Sequence, residues 1–107
     1  MFNQRAASFI FAMFPLIYFT VKGKSMNPKF QEGERVWVNR WAYIFKKPKV
    51  GDVVVLKSPN QDILILKRIK RIEDRGYFVE GDNPNKSTDS RKFGFVTKEV
   101  IIGKVFL

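Results

Sequence analysis

Residues 53–80 read VVVLKSPNQDILILKRIKRIEDRGYFVE. Three short β-prone runs lie in this stretch: Val53-Val54-Val55-Leu56, Ile63-Leu64-Ile65-Leu66 and Tyr77-Phe78-Val79. β-Branched and aromatic side chains suit the pleated, half-buried surface of a sheet. Ser58-Pro59-Asn60 and Arg75-Gly76 separate the runs, and residues of this kind mark turns. Working outward, Val36-Trp37-Val38 and Val100-Ile101-Ile102 are two further runs of the same character. Turn signals recur at Glu32-Gly33, at 49–52 and at 81–85. The spacing predicts a mainly β protein, a small antiparallel sheet or partly open barrel. No helix-period stretch stands out after Val21, beyond a turn or two over Arg40–Lys47.

A chain of 107 residues is one domain's worth of sequence. It contains no Cys and no His. Disulfides, thiolate zinc sites, His metal sites and the Ser-His-Asp triad are thereby excluded. Catalysis, if any, rests on Ser, Thr, Lys, Asp, Glu or Tyr, and no cofactor or metal is expected. Twenty Lys+Arg against ten Asp+Glu give a formal charge of +10, which points to an anionic partner. The basic turn Lys46-Lys47-Pro48-Lys49 reads as a solvated loop.

From Ala6 to Val21 the chain carries no charge: AASFIFAMFPLIYFTV. As a helix this run would span about 24 Å, short of the ~30 Å hydrocarbon core of a bilayer. Three readings are open: a short membrane anchor with Arg5 and Lys22 snorkelling, a buried segment of the domain, or a cleavable leader. The first divides the chain into an N-terminal apolar, transmembrane helix over residues 1–20 and a β domain over 21–107.

Three segments carry candidate chemistry. In Gly23-Lys24-Ser25-Met26-Asn27-Pro28 a hydroxyl follows a turn where the apolar run ends. In Leu64-Ile65-Leu66-Lys67-Arg68-Ile69 a lysine ends an apolar strand. Desolvation disfavours the ammonium, and a neutral lysine amine can act as general base toward a serine hydroxyl. Residues 81–94, GDNPNKSTDSRKFG, pack hydroxyls, two carboxylates and an arginine into one loop. Taken singly, each has a plain reading: a serine in a turn, a solvated strand lysine, a self-supporting surface loop.

Together, in this order, they resemble the type I signal peptidases, Ser/Lys membrane endopeptidases in a minimal form. The Ser box is similar over residues 23–30, with Glu32-Gly33-Glu34 where a Gly-Asp pair is usual. Val50-Gly51-Asp52-Val53-Val54-Val55 resembles the middle box and Leu66-Lys67-Arg68-Ile69 the Lys box. The last box is similar at almost every position: Gly81-Asp82-Asn83, then Ser87-Thr88-Asp89-Ser90-Arg91, then Phe93-Gly94. A closing Ile102-Gly103-Lys104-Val105 also fits. Thirteen residues separate Lys67 from Gly81, room for one hairpin where larger bacterial members carry an extra β-domain.

The resemblance implies roles. Ser25 would be the nucleophile and Lys67 its general base. Ser87 would orient Lys67, while Asp89 and Arg91 would hold the last loop. Met26, Phe30, Ile65 and Leu66 would line shallow pockets for small P1 and P3 residues of preprotein signal peptides. The Ser25 amide would be one oxyanion donor; the position two residues earlier, a hydroxyl in some members, is Gly23 here. Anionic membrane lipid would be a second partner, with the catalytic domain outside the cytoplasm on a single-pass plasma-membrane anchor. The positive-inside rule pulls the other way, since Lys22, Lys24, Lys29 and Arg35 follow the apolar run. Two other functions compete. One is a small maturation protease of the same fold with one dedicated substrate, of the nickel superoxide dismutase type. The other is a basic β-rich nucleic-acid-binding module stacking bases on Trp37, Trp41 and Tyr43; it leaves the last box unexplained, and no nucleic-acid partner is expected.

Overall fold

The structure, a computed structural model, describes residues 15–107. The chain runs β1 (Leu16–Thr20), β2 (Arg35–Asn39), β3 (Val53–Lys57), β4 (Leu64–Glu73), β5 (Gly76–Glu80), a single-turn helix α1 (Ser90–Phe93) and β6 (Ile101–Val105). Short 3-10 turns occupy Pro84–Lys86 and Lys98–Val100. All six strands join one open antiparallel sheet in the order β1-β2-β6-β3-β4-β5.

The five runs picked out by composition are β2 to β6. Strand β3 is buried along Val53, Val54, Val55 and Leu56, which explains its unbroken apolar sequence. Val53 and Val55 join one core cluster with Val21, Met26, Phe30, Val36, Val38, Leu66 and Val105. Val54 and Leu56, on the other face, join a second cluster with Ile69, Val79 and Val96. In β2 the expected alternation holds: Val36 and Val38 point in, Arg35 and Trp37 out. Strands β4 and β5 form the single hairpin expected between Lys67 and Gly81.

The apolar run divides differently from the sequence expectation. Leu16–Thr20, placed at the end of a helical anchor, is strand β1, paired from Leu16↔Asn39 to Thr20↔Arg35. Ile17 and Phe19 pack against the first core cluster. β-Prone Ile, Tyr, Phe and Thr in succession suit a strand, and pairing with β2 satisfies their backbone groups. The rest of the anticipated helix lies outside the described residues. Among the described residues no helix is long and apolar enough to cross a membrane. Arg40–Lys47 forms turns rather than a helix.

Sheet order places three strands between β1 and β4. Even so, Tyr18, Phe19 and Thr20 of β1 and Leu64, Ile65 and Leu66 of β4 line one groove of about 570 Å³. A right-handed twist accumulated over the sheet curls these strands toward each other. Strand β6 holds the halves together, bonding β2 on one side and β3 on the other. There Gly103 passes so close that an added Cβ would lie 2.6 Å from the Asn39 carbonyl oxygen. Gly103→Ala should therefore destabilise the fold by about 1–3 kcal/mol, the usual cost of overpacking. Thermal denaturation should show the drop; an unchanged melting temperature would show that the two halves tolerate a wider separation.

Candidate active site

Ser25 and Lys67 are 42 positions apart in sequence and meet in space. The Lys67 Nζ donates to Ser25 Oγ at 2.8 Å. Lys67 is only 4% exposed, and it stands opposite Val54 in the β3–β4 register. By strand alternation its side chain leaves the sheet on the same face as Ile65 and Ile69. Burial pushes the Lys67 ammonium below its ordinary value; the Asp89 carboxylate opposes that shift and the Arg91 guanidinium adds to it.

Ser25 sits in the turns between β1 and β2. Gly23 there takes φ +72°, a left-handed conformation that favours glycine. Its amide donates to Glu32 Oε2 at 3.0 Å. The next contacts come from the last box. The Asn83 amide donates to the Ser25 carbonyl oxygen at 2.7 Å, and Asn83 Nδ2 donates to the Lys24 carbonyl at 3.1 Å. Gly81 is needed for this approach: a Cβ there would lie 2.6 Å from the Ser25 carbonyl and would collide with the Ser87 hydroxyl. Beside Lys67, Arg68 forms a two-pronged pair with Asp82 at 2.9 and 3.0 Å and donates to the Gly51 carbonyl at 2.9 Å. Thus the Ser, middle, Lys and last boxes are tied through Asp82 and Asn83, for which the sequence had suggested no role.

Asp89 is fully buried. It accepts from the Ser87 hydroxyl at 2.6 Å, the Gly81 amide at 2.9 Å and the Arg91 amide at 3.2 Å. Arg91 adds Nε at 2.9 Å and Nη2 at 2.6 Å. Burial alone would push this carboxyl up; the hydrogen bonds from Arg91, Ser87 and Gly81 outweigh it and hold the group well below the usual carboxylate range. Asp89 also caps α1, and the adjoining Ser90 hydroxyl accepts from the Val79 amide at 2.9 Å. The Asp89–Arg91 pairing is the one the motif suggested. Ser87 has a different partner from the one expected. Its hydroxyl is bonded to Asp89, and among the described residues no hydrogen bond joins it to Lys67. Any effect of Ser87 on Lys67 therefore passes through the Asp89 charge.

Of the four expected pocket residues, Met26, Ile65 and Leu66 line the groove beside Ser25 and Lys67. Phe30 does not; it is buried in the core cluster with Met26, Val21 and Val36. The groove's other wall, Tyr18, Phe19 and Thr20, was missed because the apolar run read as an anchor. Among the described residues no cluster of His, Cys, Asp or Glu could hold a metal ion.

A lysine amine buried on a serine hydroxyl is an arrangement in which an amine can serve as base. Comparison with known proteins gives the family. The family model described as "Signal peptidase, peptidase S26" matches residues 2–72 and 69–107, and the chain belongs to this peptidase family. It is 27% identical to signal peptidase I V of Bacillus subtilis, over 83% of each chain. It is 32% identical to mitochondrial inner membrane protease subunit 2 of Schizosaccharomyces pombe, over 80% of this chain and 60% of that one. It is 26% identical to thylakoidal processing peptidase 1 of Arabidopsis thaliana, over 79% of this chain and 39% of that one. The chain thus spans less than two thirds of each of the two organellar relatives.

Asp89→Asn should lower the melting temperature at neutral pH by about 5 °C or more, since a buried hydrogen-bonded carboxylate loses its charge partners. The depressed carboxyl contributes its full stability above the unfolded value of about 3.9 and loses it as pH falls through the folded value. The gap between wild type and variant should therefore be constant from pH 7 to about 4 and narrow below it. Melting curves across that range check this, and a gap that widens on acidification would refute it.

Proposed function

We propose that this peptidase is a serine endopeptidase that removes signal peptides from preproteins, with Ser25 as nucleophile and Lys67 as general base. The observation that carries the reading is the 2.8 Å contact between Ser25 Oγ and a lysine that is almost wholly buried. Neutral Lys67 accepts the Ser25 proton as Oγ attacks the scissile carbonyl. The Ser25 amide stands beside the developing oxyanion, where a preorganised donor acts strongly. Lys67 then returns the proton to the leaving amine. In the second half, Lys67 takes a proton from the water that attacks the acyl-enzyme. Ser87, Asp89 and Arg91 keep the last loop in place around the base.

The substrate lies extended in the groove between β1 and the start of β4, adding a strand to their free edges. Met26, Ile65 and Leu66 leave room there for small P1 and P3 side chains. Membrane attachment, through the apolar residues before β1 and on the extracytoplasmic side, fits the outer face of the domain. Leu16, Tyr18 and Trp37 are exposed on neighbouring strands, and Trp41, Phe45 and Phe106 are exposed nearby in sequence or pairing. Aromatic side chains of this kind favour the bilayer interface, and the basic surface favours anionic headgroups.

The deciding experiment is preprotein cleavage in detergent by wild type and Ser25→Ala. The variant should be folded and inactive, because losing one turn hydroxyl costs little stability. Near-normal turnover by Ser25→Ala would overturn the mechanism. Lys67→Arg should be as damaging as Lys67→Ala, since a guanidinium keeps its proton at working pH. Substantial activity in Lys67→Arg would assign the base elsewhere.

The pH profile should have an alkaline limb. Because burial lowers the Lys67 value from 10.5, kcat/KM should rise through a midpoint below that figure and level off above it. A flat profile from pH 5 to 10, with chemistry rate-limiting, would exclude Lys67 as base. Truncation should stop before Leu16, since β1 belongs to the sheet. A chain beginning at Pro15 should fold and cleave a short peptide, yet lose preference for membrane-presented preprotein. Retention of that preference would place the membrane contact wholly in the β domain.

A further inference from the structure

A second cavity, of about 190 Å³, also borders Ser25 and Lys67, but it extends to Lys86 and Thr88 of the last loop where the groove extends to β1. The two spaces differ in chemistry. The groove has mainly apolar walls and one carboxylate, Asp62, and it shares Lys22 with the smaller cavity. The smaller cavity has Lys22, Lys24 and Lys86 in its lining with Ser58, Gln61 and Thr88, and no carboxylate. None of these three lysines is in an ion pair with another described residue. Like charges gathered without a counterion repel one another, and the cavity has room for an anion.

Given the proposed function, on which this inference rests, the groove takes residues before the scissile bond. The basic cavity, which borders the same serine toward the last loop, is then placed for the chain after that bond. We propose that this cavity selects substrates whose first residues after the cleavage point carry a carboxylate. Lys22, Lys24 and Lys86 supply the cationic field, and the hydroxyl and amide groups of Ser58, Gln61 and Thr88 supply neutral hydrogen bonds. The same three charges disfavour a lysine or arginine at those substrate positions. An anionic lipid headgroup shares the chemistry. The cavity nevertheless abuts the reacting pair itself, whereas the exposed aromatic surface suited to a bilayer lies on the outer face of β1 and β2.

The test uses the full chain in neutral detergent and peptides identical up to the scissile bond. The three following residues contain one Glu, one Gln or one Lys in turn. The Glu peptide should show a kcat/KM about five-fold above the Gln peptide, and the Lys peptide a similar factor below it, as expected for partly exposed charge pairs. Raising the salt to 0.5 M should flatten the series. Lys86→Glu, a change in the smaller cavity alone, should compress or invert the order while the Gln peptide is still cut. Equal rates for the three peptides, with cleavage abolished by Ser25→Ala, would overturn this inference and leave the protease reading standing. A charge order that Lys86→Glu leaves untouched would overturn it too. Absence of any Ser25-dependent cleavage would overturn the protease reading and this inference with it.

Discussion

A lysine amine buried against a hydroxyl instead of a carboxylate is the constraint around which the domain is arranged. Burial disfavours an ammonium at such a place and lowers its value from the ordinary one. The fold sets Lys67 opposite Val54 and beside Ile65, and Asp89, the carboxylate that opposes the burial shift of the amine, is already engaged by Arg91. Arg91 takes up most of that charge. If Asp89 faced Lys67 alone, it would restore the ammonium. The carboxylate is therefore both the support of the last loop and a restrained electrostatic neighbour of the amine.

That arrangement makes the loop after β5 more than a surface connection. Its first residues touch both halves of the site: Asp82 holds Arg68, next to Lys67, and Asn83 holds the backbone of Lys24 and Ser25. Gly81 must be small for the two backbones to meet, and Asp89 binds its amide. Ser25 lies on turns, where mobility is normally greatest, and hydrogen bonds from Lys67 and Asn83 restrain it, with a third from Asn83 to the neighbouring Lys24. Positioning to a few tenths of an ångström matters when the base must reach a hydroxyl directly.

The sheet was legible because β3 to β5 announce themselves by composition and turn residues. The serine and lysine were legible only through their company, since a serine in a turn or a lysine in a strand is individually unremarkable. What the sequence concealed was long-range. Ser87 stands two residues from Asp89, and no local pattern says whether its hydroxyl turns to that carboxylate or to Lys67. Phe30 lies near Ser25 in sequence and yet packs into the core, because its direction depends on the turn between them. Leu16–Thr20 shared the apolar character of the preceding residues, and hydrophobicity alone does not separate a half-buried strand from a membrane segment.

The placement of β1 has a functional consequence. If the apolar stretch ended at Val21 as an anchor, only β4 would border the groove, and an extended peptide would have one free edge to pair with. As a strand, β1 supplies Tyr18, Phe19 and Thr20 as the second wall, and the sheet's curl brings it across from Leu64–Leu66. The outer face of the same strand exposes Leu16 and Tyr18, with Tyr18 against Trp37 and under the Arg35 guanidinium. One five-residue strand thus borders the groove beside Ser25 and Lys67 and presents an exposed aromatic face. A change in β1 would therefore be felt both in the groove and on that outer face.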